Sequence, residues 1–189
     1  MNTVTEPKNK VGRHFKNVEA FQKWAYEQEF GYEFADNKVI EKEIKNWNLG
    51  MIWNLGNYVK LNKSFKRAAL VRNVGVKTGK NFRVPDLAYF TAEQHFSAVK
   101  GQHPIPQLAI EFLSKSESAE HIADKINDYF ASGVKLVWYV YPKTEMIYVY
   151  TSPKDIKVLQ GEDICSASPV IPDFEFPTKE IFKKELSLD

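Results

Sequence analysis

The sequence predicts an α/β domain, in the α+β sense, with a mixed central sheet flanked by helices. Three observations carry this. Two short apolar runs, residues 108–113 and 136–141, flank one amphipathic segment of helical length that ends at Gly133, the pattern of strand, helix, strand. A further apolar run, residues 84–90, has strand composition. After Tyr141, residues 145–151 alternate and residues 156–160 form a short apolar run, as further strands joined by turns do.

Two of these strands each carry one acid, Asp86 and Glu111. An unpaired buried carboxylate is costly, so two acids on two core strands mark a candidate site. The intervening helix supplies a third member. At 100° per residue, Ala119, Ile122, Ala123, Ile126 and Phe130 share the face expected to meet the sheet. Lys125 lies just outside that face, with Tyr129 one turn later. A lysine stem at such a border can run along apolar surface and bring its ammonium to the sheet edge. Asp86, Glu111 and Lys125 are thereby candidates to converge at one end of the sheet. The alternative, a plain Glu111–Lys125 ion pair with Asp86 as a strand-start acid, stays open on these residues alone.

The rest of the chain reads in order. Residues 1–17 are polar, with Lys8, Lys10, Arg13 and Lys16, and form a loose tail; residues 18–189 form a single domain. Residues 18–29 have helical periodicity and stop at Gly31. Residues 32–43 form a hairpin turning at Asp36-Asn37. Residues 48–61 form a helix capped by Asn48, with Ile52, Leu55 and Val59 inward. Residues 65–76 are a strand and Lys77–Lys80 a turn. Residues 91–105 are a loop or short helix whose His95 and His103 lack metal-ligand spacing. Tyr139, Tyr141, Tyr148 and Tyr150 make an aromatic hairpin suited to packing, including packing between two subunits. Residues 178–185 close the chain as a short helix.

Composition narrows the class. With 189 residues the chain suits one domain. At 43% hydrophobic and 26% charged it can build a core, which excludes global disorder. A single cysteine, Cys165, excludes an internal disulfide and a cysteine-cluster zinc site. No apolar run approaches the roughly 20 residues that span a bilayer, and the polar N-terminus is unlike a signal peptide. A cytoplasmic protein without a membrane partner is the expectation.

Charge is uneven. Residues 44–85 contain no Asp or Glu but nine cations, Lys63, Lys66 and Arg67 among them. With a chain total of +2, the remainder carries −7. A one-signed segment beside two acids suits a phosphodiester substrate, because phosphate contacts dominate nucleic-acid affinity. An ordinary solvated basic face is the other reading.

Pro85-Asp86, Glu111-Phe112-Leu113-Ser114, Lys125 with Tyr129, Gly133-Val134 and Trp138, in this order and spacing, resemble the Uma-two family of endonucleases. The resemblance spans roughly residues 18–182 and implies a restriction-endonuclease-like fold of the PD-(D/E)XK nuclease type. It implies catalytic roles for Asp86, Glu111 and Lys125, the last replacing the strand lysine that Leu113 does not supply. It also implies one Mg²⁺ or Mn²⁺ held by Asp86, Glu111 and the Phe112 backbone carbonyl, with Glu33 and Tyr129 as accessory residues. Lys63, Lys66 and Arg67 would then face nucleic acid, expected to be DNA, and a homodimer would suit double-strand cleavage. Asn48, where the family usually has His, and His121, where it often has an acid, are departures. They keep a second class in view, a non-catalytic nucleic-acid-binding or dimerisation module on the same fold.

Overall fold

The computed structural model describes residues 13–28, 31–42, 48–63, 68–114 and 117–184. The first helix, α1 (Val18–Ala25), begins where the Asn17 side chain accepts the Ala20 amide, and it buries Val18 and Phe21. The helix is shorter than its periodicity predicts, because Tyr26 to Gln28 leave the α-helical ladder as a turn. Next come β1 (Tyr32–Ala35) and β2 (Lys38–Glu41), a hairpin turning through Asp36 and Asn37 at φ 50° and 60°. Two successive positive φ values make the tight turn that matches strand twist.

Helix α2 (Leu49–Leu61) starts at Asn48, whose side chain makes no capping bond although it is buried. The single strand expected over residues 65–76 is two strands, β3 (Ala69–Arg72) and β4 (Val76–Thr78), in different sheets. Asn73 at φ 51° breaks the run. The predicted turn at Lys77–Lys80 shrinks to Gly79-Lys80, with β5 (Asn81–Arg83) following directly. Val84, Pro85 and Asp86 link β5 to β6 (Leu87–Phe90). Helix α3 (Ala92–Val99), capped by Thr91 and Gln94, precedes β7 (Leu108–Phe112).

Helix α4 (Ala119–Ser132) is capped by Ser118 and ends at Gly133 with φ 104°, where glycine is favoured. Then come β8 (Leu136–Tyr141), β9 (Met146–Ser152) and β10 (Asp155–Gln160). The terminal segment adds β11 (Ile164–Ser166) and β12 (Glu175–Pro177), a ribbon the sequence did not announce. The predicted final helix is a 3-10 helix, Thr178–Phe182.

Among the described residues the large sheet runs β10-β9-β8-β7-β6-β3. It is mixed: β7 and β8 are parallel across α4, and the other pairs are antiparallel. A smaller antiparallel sheet runs β2-β1-β5-β4. On one face of the large sheet, Leu108, Ile110, Phe112, Leu136, Trp138 and Val140 pack with α2 and the terminal segment. Alternation sends Ala109, Val137 and Tyr139 to the opposite face, under α4. Glu111 falls on that α4 face by the same parity. Helix α1 packs on the small sheet through Phe21, Phe34 and Phe82.

Helix α4 contacts both β8 of the large sheet and β4 of the small one. The Val84-Pro85-Asp86 link is where the chain passes from the small sheet to the large. Helix, link and both sheets therefore meet at one place.

Candidate active site

That meeting point holds a dense set of charges. Glu33 comes from β1, Lys42 from just beyond β2, and Arg83 from β5. Asp86 comes from the link, Glu111 from β7, and Lys125 and Tyr129 from α4. All are buried except Lys42, whose side chain is 10% exposed. Lys125 Nζ lies 2.8 Å from Glu111 Oε1 and 3.4 Å from both Glu33 Oε1 and Glu117 Oε1. The Tyr129 hydroxyl donates to Glu111 Oε1 at 2.7 Å. The Phe112 amide donates to Asp86 Oδ2 at 2.8 Å, and the Val84 amide to Glu33 Oε1 at 3.1 Å.

Lys125 thus bridges Glu33 and Glu111, Tyr129 bonds Glu111, and Asp86 joins them through the Phe112 amide and through Lys42. The α4 face is rotated from the predicted one. Lys125, Ile126 and Tyr129 are its buried residues, while Ala119 and Ala123 are exposed. Lys125 is 3% exposed and points into the interior, not to a sheet edge. The physical reason is partner supply: three carboxylates compensate the ammonium, and Glu111 accepts the phenol proton.

Lys42 is a residue that sequence reasoning missed, as are Glu117 and Asp128. The Lys42 ammonium donates to the Val84 carbonyl and to Glu111 Oε2 at 2.9 Å, and stands 3.4 Å from Asp86 Oδ1 and 3.8 Å from Glu33 Oε1. A signal existed. Glu33 pairs with Ile40 in the hairpin, so strand alternation puts Lys42 on the Glu33 face. Arg83 belongs to the basic segment by sequence, yet it is 1% exposed. Its Nε donates to Asp128 at 2.7 Å and its Nη1 lies 3.6 Å from Glu33. Of the other cations in that segment, Lys77 pairs with Glu19. Lys63 is exposed beyond α2, and Lys66 and Arg67 lie outside the described residues.

The electrostatics follow from burial against charge. Burial opposes ionisation of Glu111 and of Glu33, but the Lys125 and Lys42 ammoniums outweigh it and hold both carboxyls below their ordinary range. Burial likewise opposes the charge on Lys125 and Lys42. For Lys125, Glu111 and Glu33 outweigh it and raise the ammonium well above the ordinary value; for Lys42 the largest compensation is Glu111. Burial and the neighbouring Glu111 anion push the Tyr129 phenol well up, so it stays a donor.

The donor set fits a hard divalent cation. The Lys42 ammonium is already ringed by the Val84 carbonyl and by oxygens of Glu111 and Asp86, the oxygen ligands that Mg²⁺ and Mn²⁺ take. Among the described residues no three carboxylate, imidazole or thiol groups stand together at metal-ligating spacing. Mg²⁺ commonly binds through one or two carboxylates and keeps several waters, so two suffice. Among the described residues, the ion pairs of the site join five carboxylates (Glu33, Asp86, Glu111, Glu117, Asp128) to three cations (Lys42, Arg83, Lys125).

A mixed sheet flanked by helices, with β7 and β8 parallel across α4, is the architecture of the restriction-endonuclease-like fold class. The family model for Uma2, described as "Putative restriction endonuclease", matches residues 18–179, and the chain belongs to that family. One similar solved structure is a protein from Anabaena variabilis ATCC 29413, described as a "putative nuclease belonging to DUF820". It superposes with a TM-score of 0.74 at 18% identity, covering 88% of this chain and 97% of that one. The likeness is one of fold. A comparison with curated proteins finds no match. Among the described residues no helix is long and apolar enough to cross a membrane.

Proposed function

We propose that the chain is a divalent-metal-dependent endonuclease that hydrolyses phosphodiester bonds in DNA. The observation that carries this reading is the convergence of Asp86 and Glu111 on one cation position, with the Lys125 ammonium on the other oxygen of Glu111. Asp86, Glu111 and a backbone carbonyl, that of Phe112 or Val84, would hold Mg²⁺ or Mn²⁺. A bound ion supplies Lewis-acid polarisation of the phosphate and lowers the pKa of a water.

The chain's own groups do the rest. Lys125, kept protonated by its carboxylates, orients the attacking water or stabilises charge developing on the phosphate. Tyr129 fixes Glu111 by its hydrogen bond, and the Phe112 amide fixes Asp86. Lys63, Lys66 and Arg67 contribute phosphate contacts that carry no sequence information. A homodimer would place two such sites on the two strands of a duplex.

The test is plasmid nicking with Mg²⁺ and with Mn²⁺, comparing wild type with Asp86→Asn. Metal-dependent nicking lost in the variant supports the reading, and nicking that survives in Asp86→Asn refutes the ligand assignment. One observation favours the second reading, a non-catalytic nucleic-acid-binding or dimerisation module. Glu111 already has a lysine on each oxygen, as a purely structural ion network would. Metal-independent DNA binding without cleavage would support that module.

A further inference from the structure

We propose that Lys42 is an internal cation that occupies the metal seat, so that a divalent ion enters between Asp86 and Glu111 only by displacing the Lys42 ammonium. This rests on the metal reading above and adds to it a residue with a competing role. The Lys42 ammonium is bonded to Glu111 Oε2 and to the Val84 carbonyl, and it lies 3.4 Å from Asp86 Oδ1. Those three oxygens are of the type a hard cation would take. An ammonium and a divalent ion cannot share them, since like charges at such separations repel strongly where burial lowers the local dielectric.

The two lysines of the cluster differ in their freedom. Lys125 is anchored along α4, is 3% exposed and has three carboxylates within 3.4 Å. Lys42 lies past the last residue of β2 and lines a cleft of about 380 Å³ together with Tyr26, Tyr32, Asn73 and Phe82. A flexible four-carbon stem beside an open cleft gives the ammonium somewhere to go. Its departure also removes one positive charge from beside Asp86 and Glu111, which strengthens their attraction for a divalent ion. Lys125 would stay in place throughout. The consequence is a metal seat that already holds a cation, Lys42, and that binds metal less tightly than its carboxylates alone would.

Mn²⁺ titration of wild type, Lys42→Met and Lys42→Met/Asp86→Asn, with free Mn²⁺ followed by electron paramagnetic resonance, tests this. Lys42→Met should bind Mn²⁺ about tenfold or more tightly than wild type, and the double variant should lose that gain. Equal or weaker binding by Lys42→Met, with wild type binding normally, overturns the role of Lys42 while leaving the metal reading intact. No uptake by wild type or by folded Lys42→Met removes the metal reading and this proposal together. Should Lys42→Met fail to fold, crystals of wild type soaked in Mn²⁺ decide the matter. An anomalous peak between Asp86 and Glu111, with Lys42 Nζ withdrawn from Glu111, is the expected result. A peak there with Lys42 still bonded to Glu111 overturns the proposal.

Discussion

Lys42 reaches Glu111 across 69 positions of sequence, its Nζ 2.9 Å from Oε2, while Lys125 holds Oε1 of the same carboxylate at 2.8 Å. Glu111 is therefore clamped between a hairpin of the small sheet and the crossover helix of the large one. The ion network joins the two sheets at the point where the candidate chemistry lies. Removing any one partner leaves an uncompensated buried charge, so site residues and stability residues are the same set.

The first prediction concerns acid. Burial opposes ionisation of Glu33 and Glu111, but Lys125 and Lys42 depress both in the fold. Groups depressed in the fold contribute stability that is full above the unfolded carboxylate range, about 4.3 for Glu, and that fades as pH falls through the folded value. Lys42 and Lys125 are raised, so their contribution is full below about 10.4 and fades as pH rises through their folded values. The melting temperature should hold between about pH 5 and pH 10 and fall below about pH 4.5. Glu33→Gln should show a shallower acid slope in melts from about pH 3 to pH 7; an unchanged slope would remove Glu33 from the coupling.

The second prediction is thermodynamic linkage to metal. If Asp86 and Glu111 share an ion, saturating Mg²⁺ or Mn²⁺ stabilises the fold, by about 2.7 kcal/mol at a hundred times the dissociation constant. Differential scanning calorimetry should show a rise in Tm with wild type and none with Asp86→Ala. An equal rise in the variant would put the ion elsewhere.

Much of this architecture was legible in the sequence, and the reasons are local. The strand–helix–strand unit around α4 announced itself through two apolar runs and Gly133, and Asp36-Asn37 announced the hairpin turn. Asp86, Glu111 and Lys125 were visible because charged residues in or beside apolar runs need partners. Lys42 was hidden because its partners lie on other elements, and only the hairpin register reveals its face. The β3–β4 break was hidden because it depends on Asn73 adopting a positive φ, which composition does not demand. The β11–β12 ribbon rests on long-range packing of Phe174 and Phe176 against Trp138, which no local periodicity encodes.

The third prediction tests close packing at the cleft. A Cβ built on Gly75 would sit 2.1 Å from Phe82 Cζ, and Phe82 is buried against Phe21 beside Arg83. Gly75→Ala should displace that ring at a cost of about 1–3 kcal/mol, read as a lower denaturation midpoint at constant m-value. An unaltered midpoint would mean that the loop between β3 and β4 yields freely.

The fourth prediction addresses the acid-free segment. Charge reversal at Lys63, Lys66 and Arg67 should weaken DNA binding and flatten its salt dependence, by roughly 0.9 in log–log slope for each phosphate no longer neutralised. Fluorescence anisotropy at several salt concentrations measures both quantities. An unchanged affinity and slope would make these residues an ordinary solvated face.

The last prediction separates catalysis from structure at Lys125. Its side chain is 3% exposed and compensates Glu111, Glu33 and Glu117, so Lys125→Met should cost about 3–5 kcal/mol of stability through the buried charges left behind. A catalytic ammonium adds a second effect. Cleavage per folded molecule should fall by a further factor of about 10²–10³, the loss seen when one preorganised electrostatic group is removed. A purely structural ion pair predicts only the first effect, with activity falling in step with the folded fraction. Plasmid nicking with Mn²⁺, run below the variant's melting temperature and normalised to the folded fraction by circular dichroism, distinguishes the two. Full normalised activity in Lys125→Met would end the catalytic assignment. A wild-type protein that cleaves no nucleic acid with any divalent metal would move the whole assignment to the binding module, with Lys42 and Lys125 as its internal counter-ions.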